Sequence, residues 1–268
     1  MIINRRTLAQ EVTLSGKGLH SGEPVSVRII PSTDGIQFQH GTELFDAIPA
    51  NVTDTSRCTV IGTIRTVEHL MSAFAALSIT EARVELTYPE LPGLDGSALP
   101  FLDALTNAGT EELDPKEVRD IYTRLFVQSD DVKIAVGKGS GHWRFDFITN
   151  EDRWPGTMIY ESLNVLDDYR TDIAPARTTV FTEEIEQVKG AGLGKGLDES
   201  SVLIIGQNGY ENPARMTDEP ARHKLLDLIG DLYLSGIPIE ALNVVGTRTG
   251  HRRNVEMAKL IFDNCWST

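Results

Sequence analysis

Arg222-His223-Lys224-Leu225-Leu226-Asp227-Leu228-Ile229-Gly230-Asp231-Leu232 reads as a helix. Its apolar residues recur at helical spacing and no proline interrupts the run. His223, Asp227 and Asp231 follow each other at four-residue intervals, so one stripe carries an imidazole and two carboxylates. Leu225, Leu226, Leu228, Ile229 and Leu232 cover much of the remaining surface. A helix this apolar is expected to be mostly buried, and a buried carboxylate needs a cation or good donors. A histidine and a carboxylate one turn apart can share a metal ion. Spacing alone leaves two readings of His223 and Asp227 open: a metal pair, or a local His–Asp pair on a half-exposed helix.

The elements around this helix predict an α+β chain. Strands are expected at Leu8 to Leu14, Val25 to Ile30, Ile36 to Phe38 and Arg83 to Thr87. Asp34-Gly35 is a hairpin turn signal. Helices are expected at Thr66 to Leu77 and Pro100 to Asn107. The acidic stretch Glu111 to Glu117, with Asp114-Pro115, is the best linker. The second half repeats the style of the first. It has strands at Ile121 to Gln128, Val132 to Val136, His142 to Ile148, Val202 to Ile205 and Ala241 to Val245. Its helices are Thr182 to Lys189, Pro220 to Leu234 and Asn254 to Phe262, with a long excursion from Thr149 to Ala174. The element order suggests a duplication, with domains at 1–113 and 118–268, although no residue-level repeat is visible.

Composition narrows the function. A net charge of −14 over 268 residues argues against nucleic acid or an anionic membrane as the main partner. An anionic substrate remains possible where basic residues gather locally. Two cysteines, Cys58 and Cys265, imply no disulfide framework and suit a reducing cytoplasm. No stretch of about 20 apolar residues exists, so no membrane span is expected. The N-terminal Met1 to Arg6 has no apolar signal core.

Other residues carry chemistry. His69, beside Glu68 in Thr66-Val67-Glu68-His69-Leu70, can supply a third ligand, and Glu68 can act as a general base. A lone histidine at a helix start is more often a satisfied structural residue. Asp231 is best placed to orient a histidine from elsewhere. Lys224 can neutralise an oxyanion or bind phosphate, or can simply face solvent. His251 reads as a loop residue ahead of the last helix, where a general acid or a surface histidine fits. His20 lies in the glycine-flanked loop Gly18-Leu19-His20-Ser21-Gly22, which can line a pocket. Thr178 reads as a helix cap or a group pointing into a site. His40 and His142 read as surface residues.

Taken together, these segments resemble the zinc-dependent UDP-3-O-acyl-N-acetylglucosamine deacetylase family of lipid A synthesis. The resemblance rests on Thr66-Val67-Glu68-His69-Leu70, on Arg222-His223-Lys224-x-x-Asp227-x-x-Gly230-Asp231-Leu232 and on Gly250-His251-x-x-Asn254. It extends to Arg6-Thr7-Leu8, Gly18-Leu19-His20-Ser21-Gly22, Leu94-Asp95-Gly96-Ser97-Ala98 and Ala174-Pro175-Ala176-Arg177-Thr178. It implies His69, His223 and Asp227 as ligands of Zn2+, and Glu68 as the base that activates water. It implies His251, oriented by Asp231, as the acid for the leaving amine. Thr178, Lys224 and His20 would bind substrate or stabilise the oxyanion. The implied fold is two similar α+β domains with helices packed between two sheets, and an acyl-chain insert at roughly Thr182 to Ser201. A UDP-linked, 3-O-acylated N-acetylglucosamine is the implied substrate, and a cytoplasmic monomer is expected. The chain departs from the family at Thr179, where phenylalanine is usual, at Gly93, and at Ser78-Ile79-Thr80-Glu81-Ala82. The alternatives are a zinc deacetylase acting on another N-acyl sugar, or a non-catalytic zinc or nucleotide-sugar binding protein.

Overall fold

The computed structural model describes residues 1–150 and 152–266. Two five-stranded sheets carry the fold, and they share one topology. In the first, the strands lie in the order Val12–Lys17, Pro24–Pro31, Ala82–Leu86, Ile36–His40, Glu43–Asp46. In the second they lie in the order Leu125–Ser129, Val132–Lys138, Leu242–Thr247, Trp143–Ile148, Thr157–Ser162. Each sheet has a single parallel pair, at its third and fourth positions, and is otherwise antiparallel. Each late central strand is flanked by helices, Glu68–Ala76 and Leu99–Ala108 in the first half, Glu219–Tyr233 and His251–Trp266 in the second. The duplication expected from element order is therefore present in the strand pairing itself.

Alternation explains which face each sheet turns inward. Val25, Val27 and Ile29 are buried on one strand, while their neighbours are more exposed. Leu242, Val244 and Gly246 repeat the pattern in the other sheet. The helices lie against these apolar faces, and one continuous core runs through both halves. All of Glu219–Tyr233 except Arg222 and Lys224 is buried, so this helix has no solvated side. The Glu68–Ala76 helix packs beside it. Tyr169 donates to Ser72 at 2.7 Å and Tyr233 donates to the Ile79 carbonyl at 3.0 Å, tying the halves together.

Several expected elements move. Leu8 to Leu14 is two strands, Arg6–Leu8 and Val12–Lys17. Asp34-Gly35 makes no hairpin, because Ala82–Leu86 inserts between the strands on either side of it. The acidic linker is pinned: Thr110–Glu112 pairs with Arg6–Leu8, and Lys116–Glu117 pairs with Ile2–Ile3. The excursion from Thr149 to Ala174 contains the edge strand Thr157–Ser162. The expected helix at Thr182 opens as a 3-10 turn and becomes α-helical only at Ile185–Gly190. The last helix starts at His251, three residues before its expected start, so His251 is the first residue of a helix and not a loop residue.

Candidate metal centre and its surroundings

His69 enters from the buried start of the Glu68–Ala76 helix, and His223 and Asp227 from successive turns of Glu219–Tyr233. Their donor atoms lie within 4.8 Å of one another. His223 Nε2 is 3.4 Å from Asp227 Oδ1, and His69 Nε2 is 3.6 Å from the same oxygen. The two imidazoles meet edge to face, 5.1 Å apart. All three residues are buried.

The hydrogen bonds around this cluster fix its donors. The Ala176 carbonyl can only accept, so His223 Nδ1, 3.0 Å away, carries the proton and Nε2 presents a lone pair. Burial pulls His223 down to about 4, so the ring is neutral at ordinary pH. Lys224 Nζ donates to Asp227 Oδ2 at 2.9 Å. Asp227 Oδ1 is buried without a hydrogen-bond partner. Burial opposes ionisation of Asp227, yet His223 and Lys224 hold its carboxyl well below the usual carboxylate range. An orphaned carboxylate oxygen thus faces imidazole nitrogens, an arrangement that a shared cation relieves. Two nitrogens and one carboxylate oxygen fit a divalent transition metal, and three protein ligands leave a position open.

A second constellation adjoins the first. Asp231 is fully buried, and His251 Nδ1 donates to its Oδ2 at 3.0 Å. Asn254 Nδ2, one turn along the same helix, donates to that oxygen at 2.9 Å. Thr59 Oγ1 donates to Asp231 Oδ1. Burial disfavours the imidazolium of His251, but Asp231, with Glu68 and Asp227 behind it, pushes the ring up to about 9. Glu68 is buried and its pKa is raised by that burial. Its Oε2 accepts the Thr59 backbone N–H at 2.9 Å.

His20, Thr178, Lys224 and His251 line one cavity of about 380 Å³. One wall is apolar, with Leu19, Val180, Val188, Leu193, Leu197 and Val202, while Arg57, Arg248, Arg252 and Arg253 supply positive charge. Basic residues are thus gathered locally in an acidic chain. Both ring nitrogens of His20 are buried without partners, and burial lowers its pKa to about 4. The Ile185–Gly190 helix and the loop after it form a strap over this cavity. Lys195 N–H donates to the His20 carbonyl at 3.2 Å and Gly196 N–H to the Leu19 carbonyl at 3.1 Å. The side chain of His142 is 40% exposed and pairs with Glu161 at 2.7 Å. A larger cavity of about 550 Å³ lies around Tyr233 and Trp266 and holds none of the expected site residues.

A model of the UDP-3-O-acyl N-acetylglycosamine deacetylase family matches residues 5–263. The chain belongs to that family. A UDP-3-O-acyl-N-acetylglucosamine deacetylase of Syntrophotalea carbinolica is 33% identical over 281 residues, covering 99% of this chain and 90% of its own. One of Synechocystis is 35% identical over 272 residues, covering 96% and 98%. A bifunctional LpxC/FabZ enzyme of Chlorobaculum tepidum is 34% identical, and the chain spans 64% of its length. No helix among the described residues is long and apolar enough to cross a membrane.

Sequence reasoning missed Thr59, Arg177 and the role of Asn254. Asn254 was reachable, since it stands three residues after His251 and so shares its helix face. Thr59 gave no signal, because its partners come from two other segments, Val67-Glu68 and Asp231. Arg177 reads as an ordinary basic residue. In the fold it is 4% exposed and makes a buried two-point pair with Glu219, at 2.8 and 3.2 Å.

Proposed function

We propose that His69, His223 and Asp227 hold a zinc ion, with Glu68 and His251 acting as base and acid beside it. By family the chain is an N-deacetylase of lipid A biosynthesis, and its substrate is a UDP-linked, 3-O-acylated N-acetylglucosamine. The observation that carries the metal reading is Asp227 Oδ1, buried, ionised and unpartnered against two imidazoles. Bound there, zinc supplies Lewis acidity toward water and the acetamide carbonyl.

The protein's own groups then divide the proton work. Glu68 has one oxygen held by Thr59 N–H, so its other oxygen is free to take a proton from water. His251 stores a proton that Asp231 stabilises, and it delivers that proton to the departing amine. Lys224 is tethered to Asp227 at the cavity wall, where its charge favours a developing oxyanion. Thr178 and His20 bind substrate from the same cavity. The apolar residues take the acyl chain, with Val188, Leu193 and Leu197 contributed by an insert running from about Thr182 to Ser201, and the arginines take the diphosphate.

A protein that merely binds nucleotide sugar needs no charged acid held by a buried carboxylate, which favours the enzyme. The division into domains at 1–113 and 118–268 is supported by the repeated sheet topology. Two buried free cysteines support a reducing, cytoplasmic setting. The test is acetate release from the UDP-linked substrate, with simple N-acetyl sugars in parallel. Release from the UDP substrate alone is expected. Equal release from simple sugars would instead favour a broader amide hydrolase, and no release from either would sink the catalytic reading.

A further inference from the structure

Among the described residues, Thr59 is the one that hydrogen-bonds to both Glu68 and Asp231, one from each arm of the proposed acid–base pair. Its backbone N–H donates to Glu68 Oε2 at 2.9 Å, and its hydroxyl donates to Asp231 Oδ1. Glu68 lies on the first-half helix and Asp231 on the second-half helix, so Thr59 spans the seam between the two. The residue is wholly buried. Its own carbonyl accepts the Val67 N–H at 3.3 Å, which locks it to the entry of the Glu68–Ala76 helix. The chain reaches this position through Arg57, whose φ of 101° lies in the left-handed region that non-glycine residues avoid.

We propose that Thr59 is a positioning residue that sets Glu68 and Asp231 together, so that base and acid are aligned as a unit. The inference rests on the base and acid roles assigned above. Its two bonds act on different atoms. The N–H fixes one Glu68 oxygen and leaves the other for water. The hydroxyl occupies Asp231 Oδ1, so that Oδ2 is left to His251 and Asn254. Without that hydroxyl, Asp231 Oδ1 is a buried acceptor with nothing to accept. The carboxylate then rotates to recover a donor, and the imidazole it steers turns with it. Substrate contacts and the metal ligands lie elsewhere, so the loss falls on turnover and not on binding.

Thr59→Val separates the arms, because valine keeps the N–H and nearly the same volume but removes the hydroxyl. Thr59→Ser keeps both. Acetate release from the UDP-linked substrate is measured for wild type, Thr59→Ser, Thr59→Cys and Thr59→Val, with zinc content and melting temperature for each. The expected order of kcat is wild type and Ser together, then Cys, then Val, with Val down about tenfold or more while KM stays within about twofold. Zinc content stays the same throughout. A Val variant with wild-type kcat overturns the inference, as does a Ser variant as impaired as Val. If Val fails to fold, the Ser and Cys variants decide: an equal pair overturns the inference, and an ordered pair supports it. Inactive wild-type protein would instead overturn the underlying acid–base reading, so the two failures are distinguishable.

Discussion

Gly230 lies against the backbone of Glu68. A β-carbon at position 230 would stand 2.0 Å from the Glu68 carbonyl oxygen and 3.1 Å from the Ser72 nitrogen. The two central helices therefore cross at backbone contact, and that crossing sets how far His69 is from Asp227. Glycine here serves close approach, since it sits inside a helix where it costs about 1 kcal/mol against alanine. Gly230→Ala is expected to push the helices apart, at a cost of roughly 1–3 kcal/mol or more. A zinc titration should show weakened binding alongside a lowered melting temperature. Zinc affinity equal to wild type would show that the ligand distance is set by something else.

Metal removal should read out as stability. The metal-free cluster leaves Asp227 Oδ1 buried and unpartnered, and a cation that binds only the folded chain stabilises it by mass action. Adding zinc to chelated protein should raise the melting temperature, by roughly 4 kcal/mol of stability at a thousandfold excess over the dissociation constant. Asp227→Asn should abolish most of that rise, because the neutral amide gives up the anionic oxygen. A full zinc-dependent rise in Asp227→Asn, measured by calorimetry, would remove Asp227 from the ligand set.

The pH dependence follows from His251 and Glu68. His251 is raised to about 9, against 6.5 for an ordinary histidine. Its contribution to stability is therefore fully present below about 6.5 and is lost as pH rises through about 9. The same protonated state is the one that can donate to the amine. Glu68 is raised by burial, and it must lose its proton to act as a base, so activity falls as pH drops below its raised value. A bell-shaped profile is expected. An NMR titration of the metal-free protein should place the His251 midpoint near 9, and Asp231→Asn should bring it down. Bound zinc adds positive charge nearby, so the alkaline limb of activity should sit below the metal-free midpoint. A midpoint unmoved by Asp231→Asn would falsify the pairing as the cause.

The central helix was legible because its chemistry is periodic. His223, Asp227 and Asp231 repeat at one spacing, and the buried stripe they form is what the fold contains. The link from Asp231 to His251 followed only from resemblance, and the fold supplies it at 3.0 Å. What stayed hidden was non-local. Asp34-Gly35 carries every local mark of a hairpin turn, but the competing partner, Ala82–Leu86, arrives some fifty residues later. Thr157–Ser162 was unreadable for a different reason: as an edge strand it buries only some of its residues and lacks a clean apolar alternation. Thr59 is invisible in sequence because a threonine acquires a role only when its partners converge on it.

Arg177 and Glu219 join the start of the central helix to the strap over the cavity. The guanidinium donates twice to Glu219 and also to the carbonyls of Ser200 and Pro213, at 3.2 and 2.8 Å. Glu219 is fully buried and accepts the N–H groups of Arg177 and Arg215 as well. Burial opposes its charge, yet Arg177 holds its pKa below the ordinary value, so the pair contributes stability above the unfolded-state pKa and loses it as pH falls through the folded one. Removing one partner leaves a buried charge alone, so Arg177→Ala should cost about 3–5 kcal/mol. Arg177→Lys should recover only part of this, since one ammonium cannot reproduce the fork. Thr178 follows Arg177 directly, and its N–H is held by the Gly96 carbonyl at 2.8 Å. Both variants should therefore raise KM for the acylated substrate, while zinc content stays near that of wild type. Urea unfolding at pH 7 and at pH 4, beside steady-state kinetics, checks the two effects separately. A stability gap between wild type and Arg177→Ala that is the same at both pH values would show that the pair's charge is not what holds the strap.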